Sequence, residues 1–524
     1  MSFGNQTQTG IYFQKVDPIL QTLLGLVKKY QEWTSESKSF TIGSVEADQE
    51  QVLRLLRAQI EILQQFQQSI EDYKDGTSNT KRTINDENDD SNESYVQSKC
   101  LPQHLAVLSE YVSLPLNAIL HLTSKETARY RQSTTYLSIQ QTRIWQIRAS
   151  AIFRLQEETA RTISLFVSKC TSPAETISDA NNGNKLLISP KTIHSRKTIY
   201  IPDSHIVRFL IALAAVLPLG VHKEIDEVKA GQRSTFPSLD KGIDSQIEVL
   251  RAISTLVSCA GSINRSVTTC IVNSLDGALV ARVSDACCGI LLEVTTLATA
   301  TKTSTSTTAH RVQPQSARWA LQSLRTLETM FEALSQHVCV WRSQFPGIFA
   351  ALHRFFLRLR RLPISLGFAD EMQCEGLRVL TKFLYVTLCD SNQVGEREAD
   401  KIAPKSVIHQ LQLLATSQTQ ESQILSNTTK VSKSDSADSS HERNHQNSEF
   451  FEQVNARLMA PLNVLLQTIM VTSSSPTFKL EAVSFSRVIL IDTRGCWHKR
   501  NGNDLLNLVL EYCLVLQSDS DGRI

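Results

Sequence analysis

The residues in this chain whose types and spacing could do chemistry lie in a few short places. His441-Glu442-Arg443-Asn444-His445 fits H-E-x-x-H. In that zinc-protease pattern two histidines one turn apart on a buried helix hold the metal and the intervening glutamate acts as base. Here the five residues follow Ser434-Asp435-Ser436-Ala437-Asp438-Ser439-Ser440, with no apolar helix to carry them and no third ligand marked. The reading is a chance match in a solvated loop. Cys496 and His498 flank Trp497 as half a metal site would, but no second pair lies nearby in sequence, and a packed loop between helices is expected. Asp519-Ser520-Asp521-Gly522 begins like a calcium loop and lacks its closing glutamate. Glycine-rich phosphate loops and the G-x-S-x-G elbow are absent. The expectation is a non-enzymatic protein with no catalytic residue, no metal and no cofactor.

Charge offers a different kind of site. Arg354, Arg358 and Arg361 recur at i, i+4 and i+7, a positive ridge on one helix, with His353 and Arg360 beside it. Phe355, Phe356, Leu359 and Leu362 point elsewhere. Such a ridge is either a solvated face whose charges pair with carboxylates of the same chain, or a contact for an acidic partner surface. Nucleic acid is disfavoured, because a formal net charge of +2 leaves no basic excess elsewhere. Ser432-Lys433-Ser434-Asp435 and Ser439-Ser440-His441-Glu442 place an acidic residue three positions after serine, which suits an acidophilic kinase. An unmodified spacer is the alternative.

The elements that would position these residues read as helices throughout. Near the carboxyl end, Leu458, Leu462, Leu465 and Ile469 form one apolar stripe. After the break at Ser473–Pro476 the period restarts with Phe478, Ala482, Phe485 and Ile489, and again with Leu505, Val509, Tyr512 and Leu516. Each stripe is too narrow to be buried by its own helix, so consecutive helices must pack on one another. Phe478, Phe485, Leu505, Leu508 and Tyr512 are expected to do that packing. Upstream, helices are read over 12–33, 45–73, 105–119, 143–169, 204–217, 244–260, 276–298, 316–335, 345–362, 371–389 and 398–415. Asp17-Pro18 is read as the start of the first, and a kink is expected at Pro115. Polar, low-complexity insertions are read at about 74–100, 171–203, 299–315 and 417–447. No stretch sustains period-two alternation. Helix, short break, helix at irregular spacing describes an all-α chain, an α-solenoid of HEAT-type repeats over 1–524.

Composition agrees with this. Hydrophobic residues make up 41% and charged residues 20%, which suits a folded soluble protein, and 19 Gly and 14 Pro are few for an all-β fold. The amino terminus shows no secretory pattern, and the most apolar run, Phe209–Leu219, covers about half a bilayer and contains Pro218. Eleven Cys without a C-x-x-C pair are expected in a reduced cytoplasmic or nuclear setting.

Several segments, in order, resemble one family. Tyr12-Phe13-Gln14-Lys15-Val16-Asp17-Pro18 with Leu23-Leu24 looks like an opening F-x-x-L-K-P…L-L, and Leu108–Leu116 like L-x-x-Y-I-x-F-P-L. Glu375–Asp390 is similar to a helix of the form A-L-x-x-L-x-x-x-L…D. Arg457–Val483 followed by Asp504–Asp519 resembles a repeat K-L…I…V-x-x-H-x-x-W-K-V-R-x-E-L-V…L-L…L-V-x-D. The family is that of the Tel-two-interacting protein one, the HEAT-repeat scaffold of the TTT co-chaperone complex. The resemblance implies a scaffold joining the other TTT subunits. With the ninety-kilodalton heat-shock chaperone, that complex matures phosphatidylinositol 3-kinase-related kinases, TOR and the DNA-damage kinases among them. Phe478 stands where the family has Trp, and Leu480-Glu481 where it has Val-Arg. Family members run on for several hundred residues past such a repeat, so the resemblance covers an amino-terminal half. A different α-solenoid adaptor, for nuclear import or vesicle transport, is the competing expectation.

Overall fold

The computed structural model describes residues 4–36, 45–72, 108–133, 139–171, 201–218, 240–261, 265–300, 314–359, 367–389, 450, 453–454, 457–467, 475–497 and 503–517. The fold is all-α and solenoid-like: helix packs on helix, and no β-strand occurs among the described residues. The chain divides into two compact units, Met1–His337 and Val338–Ile524.

The first unit contains α1 (Gly4–Glu36), α2 (Val45–Asp72), α3 (Ser109–Ser133), α4 (Ile139–Lys169), α5 (Asp203–Val216), α6 (Asp240–Gly261), α7 (Arg265–Asn273), α8 (Ala278–Ala300) and α9 (Pro314–Ala333). Sequence neighbours pair, α1 with α2, α3 with α4, α5 with α6, and α8 with α9. The pairs stack so that α2, α4, α6 and α9 form one layer, while α1, α3, α5 and α7–α8 form the other. Hydrogen bonds show that helices within a layer run parallel. Ser245 donates to Gln156 at 3.3 Å and Ser164 meets Thr255 at 3.1 Å between α4 and α6. Gln315 donates to Asp244 at 2.9 Å and Ser254 to Thr326 at 3.0 Å between α6 and α9.

The stripes that hold these layers differ in detail from the sequence reading. In α1 the buried positions are Val16, Leu20, Leu23, Val27 and Tyr30, and Ile19 and Leu26 are only half-buried. The helix begins at Gly4, and Pro18 lies inside it instead of starting it. Pro115 likewise sits within continuous α3. In α4, Ile147 faces solvent, while Ile152, Leu155, Thr159, Ile163 and Phe166 are buried. α8 keeps its expected register, with Leu279, Val283, Ala286, Ile290 and Val294 all buried. Each such large apolar side chain contributes about 1.5–3 kcal/mol.

α7 was not anticipated; Gly277 at φ 83° turns the chain from it into α8, a conformation that favours glycine. α6 ends at Gly261, where any Cβ would collide with Ala333 of α9. The insertions read at 171–203 and 299–315 are shorter than expected, because Ile201 is buried, α5 begins at Asp203, α8 runs to Ala300 and α9 begins at Pro314. The remaining residues of those insertions, the other two insertions and the helix read at 398–415 lie outside the described residues.

The second unit contains α10 (Val338–Leu359), α11 (Gly367–Leu388), a helical stretch at 457–467, α12 (Pro476–Arg487), α13 (Arg494–Trp497) and α14 (Asn503–Gln517). α10 packs on α11, α11 on α12, and α12 on α14. α10 starts well before the expected Phe345, because Val338 and Trp341 continue the stripe of Phe345, Ile348 and Leu352, and Pro346 is accommodated inside it. Phe345 stacks on Phe383 of α11 at 5.0 Å and meets Phe450 edge-on at 6.0 Å. Pro476 is the first residue of α12, where a missing N–H costs nothing.

A π-helical turn, Val488–Asp492, links α12 to α13, closed by Thr493 N–H on the Val488 carbonyl at 2.9 Å. Buried Trp497 donates to the Thr493 hydroxyl at 2.8 Å. Of the five packing residues expected here, Phe478, Phe485, Leu505 and Tyr512 are buried; Leu508 is half-buried and Val509 takes the central place. No helix among the described residues is long and apolar enough to cross a membrane.

Candidate functional site

Arg354 and Arg358 lie one turn apart near the end of α10; Arg361 lies outside the described residues. The apolar face of α10, with Leu352, Phe355, Phe356 and Leu359 buried, fixes which way these arginines project. Arg354 is exposed, and among the described residues it makes no hydrogen bond or ion pair. Arg358 is half-buried. α10 carries no Asp or Glu at all, so the guanidinium groups meet no carboxylate on their own helix. His353 completes the cluster: it stacks on Phe349 at 6.2 Å, and its buried Nε2 has no hydrogen-bond partner among the described residues. Burial, with Arg354 adding to it, holds this imidazole below its ordinary value. The result is an exposed guanidinium beside a neutral ring. It has the chemistry to receive a carboxylate or phosphate group.

Several arginines on α4, α6 and α11 are committed internally. On α4, Arg161 donates to Glu158 at 3.1 Å and to Glu157 at 3.0 Å, and lies 4.0 Å from Glu248 of α6. Arg154 reaches Glu158 at 2.8 Å, and Arg251 pairs with Glu248 on its own helix. Glu158 is fully buried, and Gln64 and Gln67 of α2 also donate to it. Burial raises the carboxyl of Glu157, opposed by Arg154 and Arg161. The second unit repeats the device: Arg378 of α11 pairs with Glu375 at 3.1 Å and with Glu481 of α12 at 2.6 Å. The sequence reading missed this ladder. Its signal was present, as Glu three residues before Arg at 158/161, 248/251 and 375/378.

A buried pair, Arg148 and Glu126 at 2.5 Å, joins α4 to α3, with the Arg148 guanidinium 4.5 Å over the Trp33 ring of α1. Large apolar side chains also face solvent in one layer of the first unit: Tyr111 and Leu114 on α3 are 54% and 60% exposed, and Ile211 on neighbouring α5 is 36% exposed.

Other sequence candidates do not assemble here. His441–His445, His498, Ser432–Ser440 and Asp519–Gly522 lie outside the described residues. Cys496 is buried on α13 beside Trp497. Among the described residues no three His, Cys, Asp or Glu side chains gather as a metal site. An apolar pocket of about 10 Å³ between α5, α6, α7, α8 and α9, lined by Leu210, Ile253, Ile271 and Met330, is too small for a metabolite. Compared with protein-family models, curated proteins and solved structures, the chain finds no match.

Proposed function

We propose that this protein is a non-enzymatic scaffold of a TTT-type co-chaperone complex. It would work in the cytoplasm or nucleus, holding phosphatidylinositol 3-kinase-related kinases and the ninety-kilodalton heat-shock chaperone machinery in one assembly. The observation that carries the reading is the two-layer stack of helix pairs in the first unit, an architecture whose broad layer faces serve partner binding. The ordered resemblance of four segments adds the identity of the partners. One of them, Leu108–Leu116, contains exposed Tyr111 and Leu114. Arg354 is the second contact, for an acidic group at the edge of a partner.

Affinity purification of the tagged chain with mass spectrometry tests this. TOR-like kinases, the other TTT subunits and chaperone components are expected, and a Leu114→Asp, Arg354→Glu variant of unchanged melting temperature recovers less of them. Importins or coat proteins in their place would overturn the reading in favour of a transport adaptor.

A further inference from the structure

α4 and α6 lie side by side in one layer, and three contacts set their register. The Phe153 ring lies 3.3 Å from where a Cβ on Gly242 would stand, Ser245 donates to Gln156 at 3.3 Å, and Ser164 meets Thr255 at 3.1 Å. Residue numbers rise together along the two helices. A hydroxyl contact between side chains as short as Ser164 and Thr255 also requires close backbones. Continuing that register one to two turns past Ser164–Thr255 brings the end of α4 beside the end of α6, Cys170 on one side and Cys259 on the other. Cys170 follows the last residue of α4, its N–H shared between the carbonyls of Phe166 and Val167, and it is fully buried. Cys259 is half-buried, so a small reagent can reach it first. The two thiols sense each other: burial pushes Cys170 far above the ordinary thiol range, and Cys259 pushes it further.

We propose that Cys170 and Cys259 form a redox-modification site, closing a disulfide that ties α4 to α6 when the chain meets an oxidised low-molecular-weight thiol. The Cys259 thiolate attacks one sulfur of the small disulfide and expels a thiolate, leaving a mixed disulfide. Cys170 then gives up its proton, attacks the Cys259 sulfur and expels the second small thiolate. Two protein thiols are oxidised, one small disulfide is reduced to two thiols, and no other reactant is needed. The site goes beyond the scaffold reading and does not depend on it.

The test treats the intact chain with oxidised glutathione, caps remaining thiols and maps peptides by mass spectrometry. A loss of about 2 Da with a Cys170–Cys259 linked peptide is expected, both undone by dithiothreitol. The oxidised chain melts several degrees higher, because the bridge closes a long loop. Cys259→Ser removes link and shift, and Cys170→Ser leaves glutathione trapped on Cys259. Glutathione retained on wild-type Cys259 without a link, a bridge between any other pair, or no reaction overturns the proposal. Wild-type mapping alone decides it should either variant fail to fold.

Discussion

α4 and α10 both carry arginines at helical spacing, and Arg354 of α10 is placed differently from the described arginines of α4. On α4, Arg148, Arg154 and Arg161 are met by Glu126, Glu157, Glu158 and Glu248, so each of these three guanidinium groups is tied to its own helix or to a neighbour. On α10 no acidic residue is present, and Arg354 points outward with no ion pair among the described residues. The type of residue is the same; what differs is whether its own helix or one packed against it brings a carboxylate to it. Arg148, Arg154 and Arg161 of α4 therefore belong to the packing, and Arg354 stays exposed.

Breaking the innermost α4 contact has the largest expected effect. Glu126→Ala leaves the Arg148 guanidinium buried with its charge uncompensated, and a loss of about 3–5 kcal/mol is expected in chemical denaturation. A loss below about 1 kcal/mol would show that Trp33 and solvent suffice for Arg148.

Gln59 is the converse case, a polar group on the apolar stripe of α2 between Leu56 and Leu63, fully buried with neither amide atom hydrogen-bonded among the described residues. Gln59→Leu removes that desolvation cost at similar volume and should stabilise by about 1–2 kcal/mol. No rise in melting temperature would mean that the amide is satisfied in solution.

The histidine beside Arg354 sharpens the contrast from the α10 side. His353 and, at the start of α5, His205 are both held below the ordinary imidazole value, chiefly by burial and then by Arg354 and Arg208, with Glu110 opposing at His205. The folded state thus binds fewer protons than the unfolded chain, whose histidines titrate near about 6.5. The stability these neutral rings contribute is present above that pH and is lost as pH falls through it toward their folded values. Denaturation midpoints should drop from pH 7.5 to pH 5.5, and His353→Gln should flatten part of the slope.

Smaller still is the ladder in the second unit. Arg378 is 39% exposed, so Arg378→Ala should cost only about 0.5–1 kcal/mol, and a double-mutant cycle with Glu481→Ala should return a coupling of that order. Arg354→Gln closes the series, with stability unchanged to within about 0.5 kcal/mol and a measurable loss of partner recovery. A stability loss there as large as at Arg378 would place Arg354 with the internal arginines after all.

Periodicity was enough to define the all-α class, most helix positions and stripes as regular as Leu279–Val294, because an apolar residue every three or four positions can be buried only on one side of a helix. Periodicity also found the ridge at Arg354 and Arg358. Helix starts at Gly4 and Val338 were hidden by Pro18 and Pro346, which read locally as breaks yet are carried by packing on either side. The i,i+3 pairs at 158/161, 248/251 and 375/378 were legible locally, but the partners on other helices were not written in any local pattern. Arg161 and Arg378 meet Glu248 and Glu481 on helices far along the chain, and only the stacking of one helix on the next brings those carboxylates within reach.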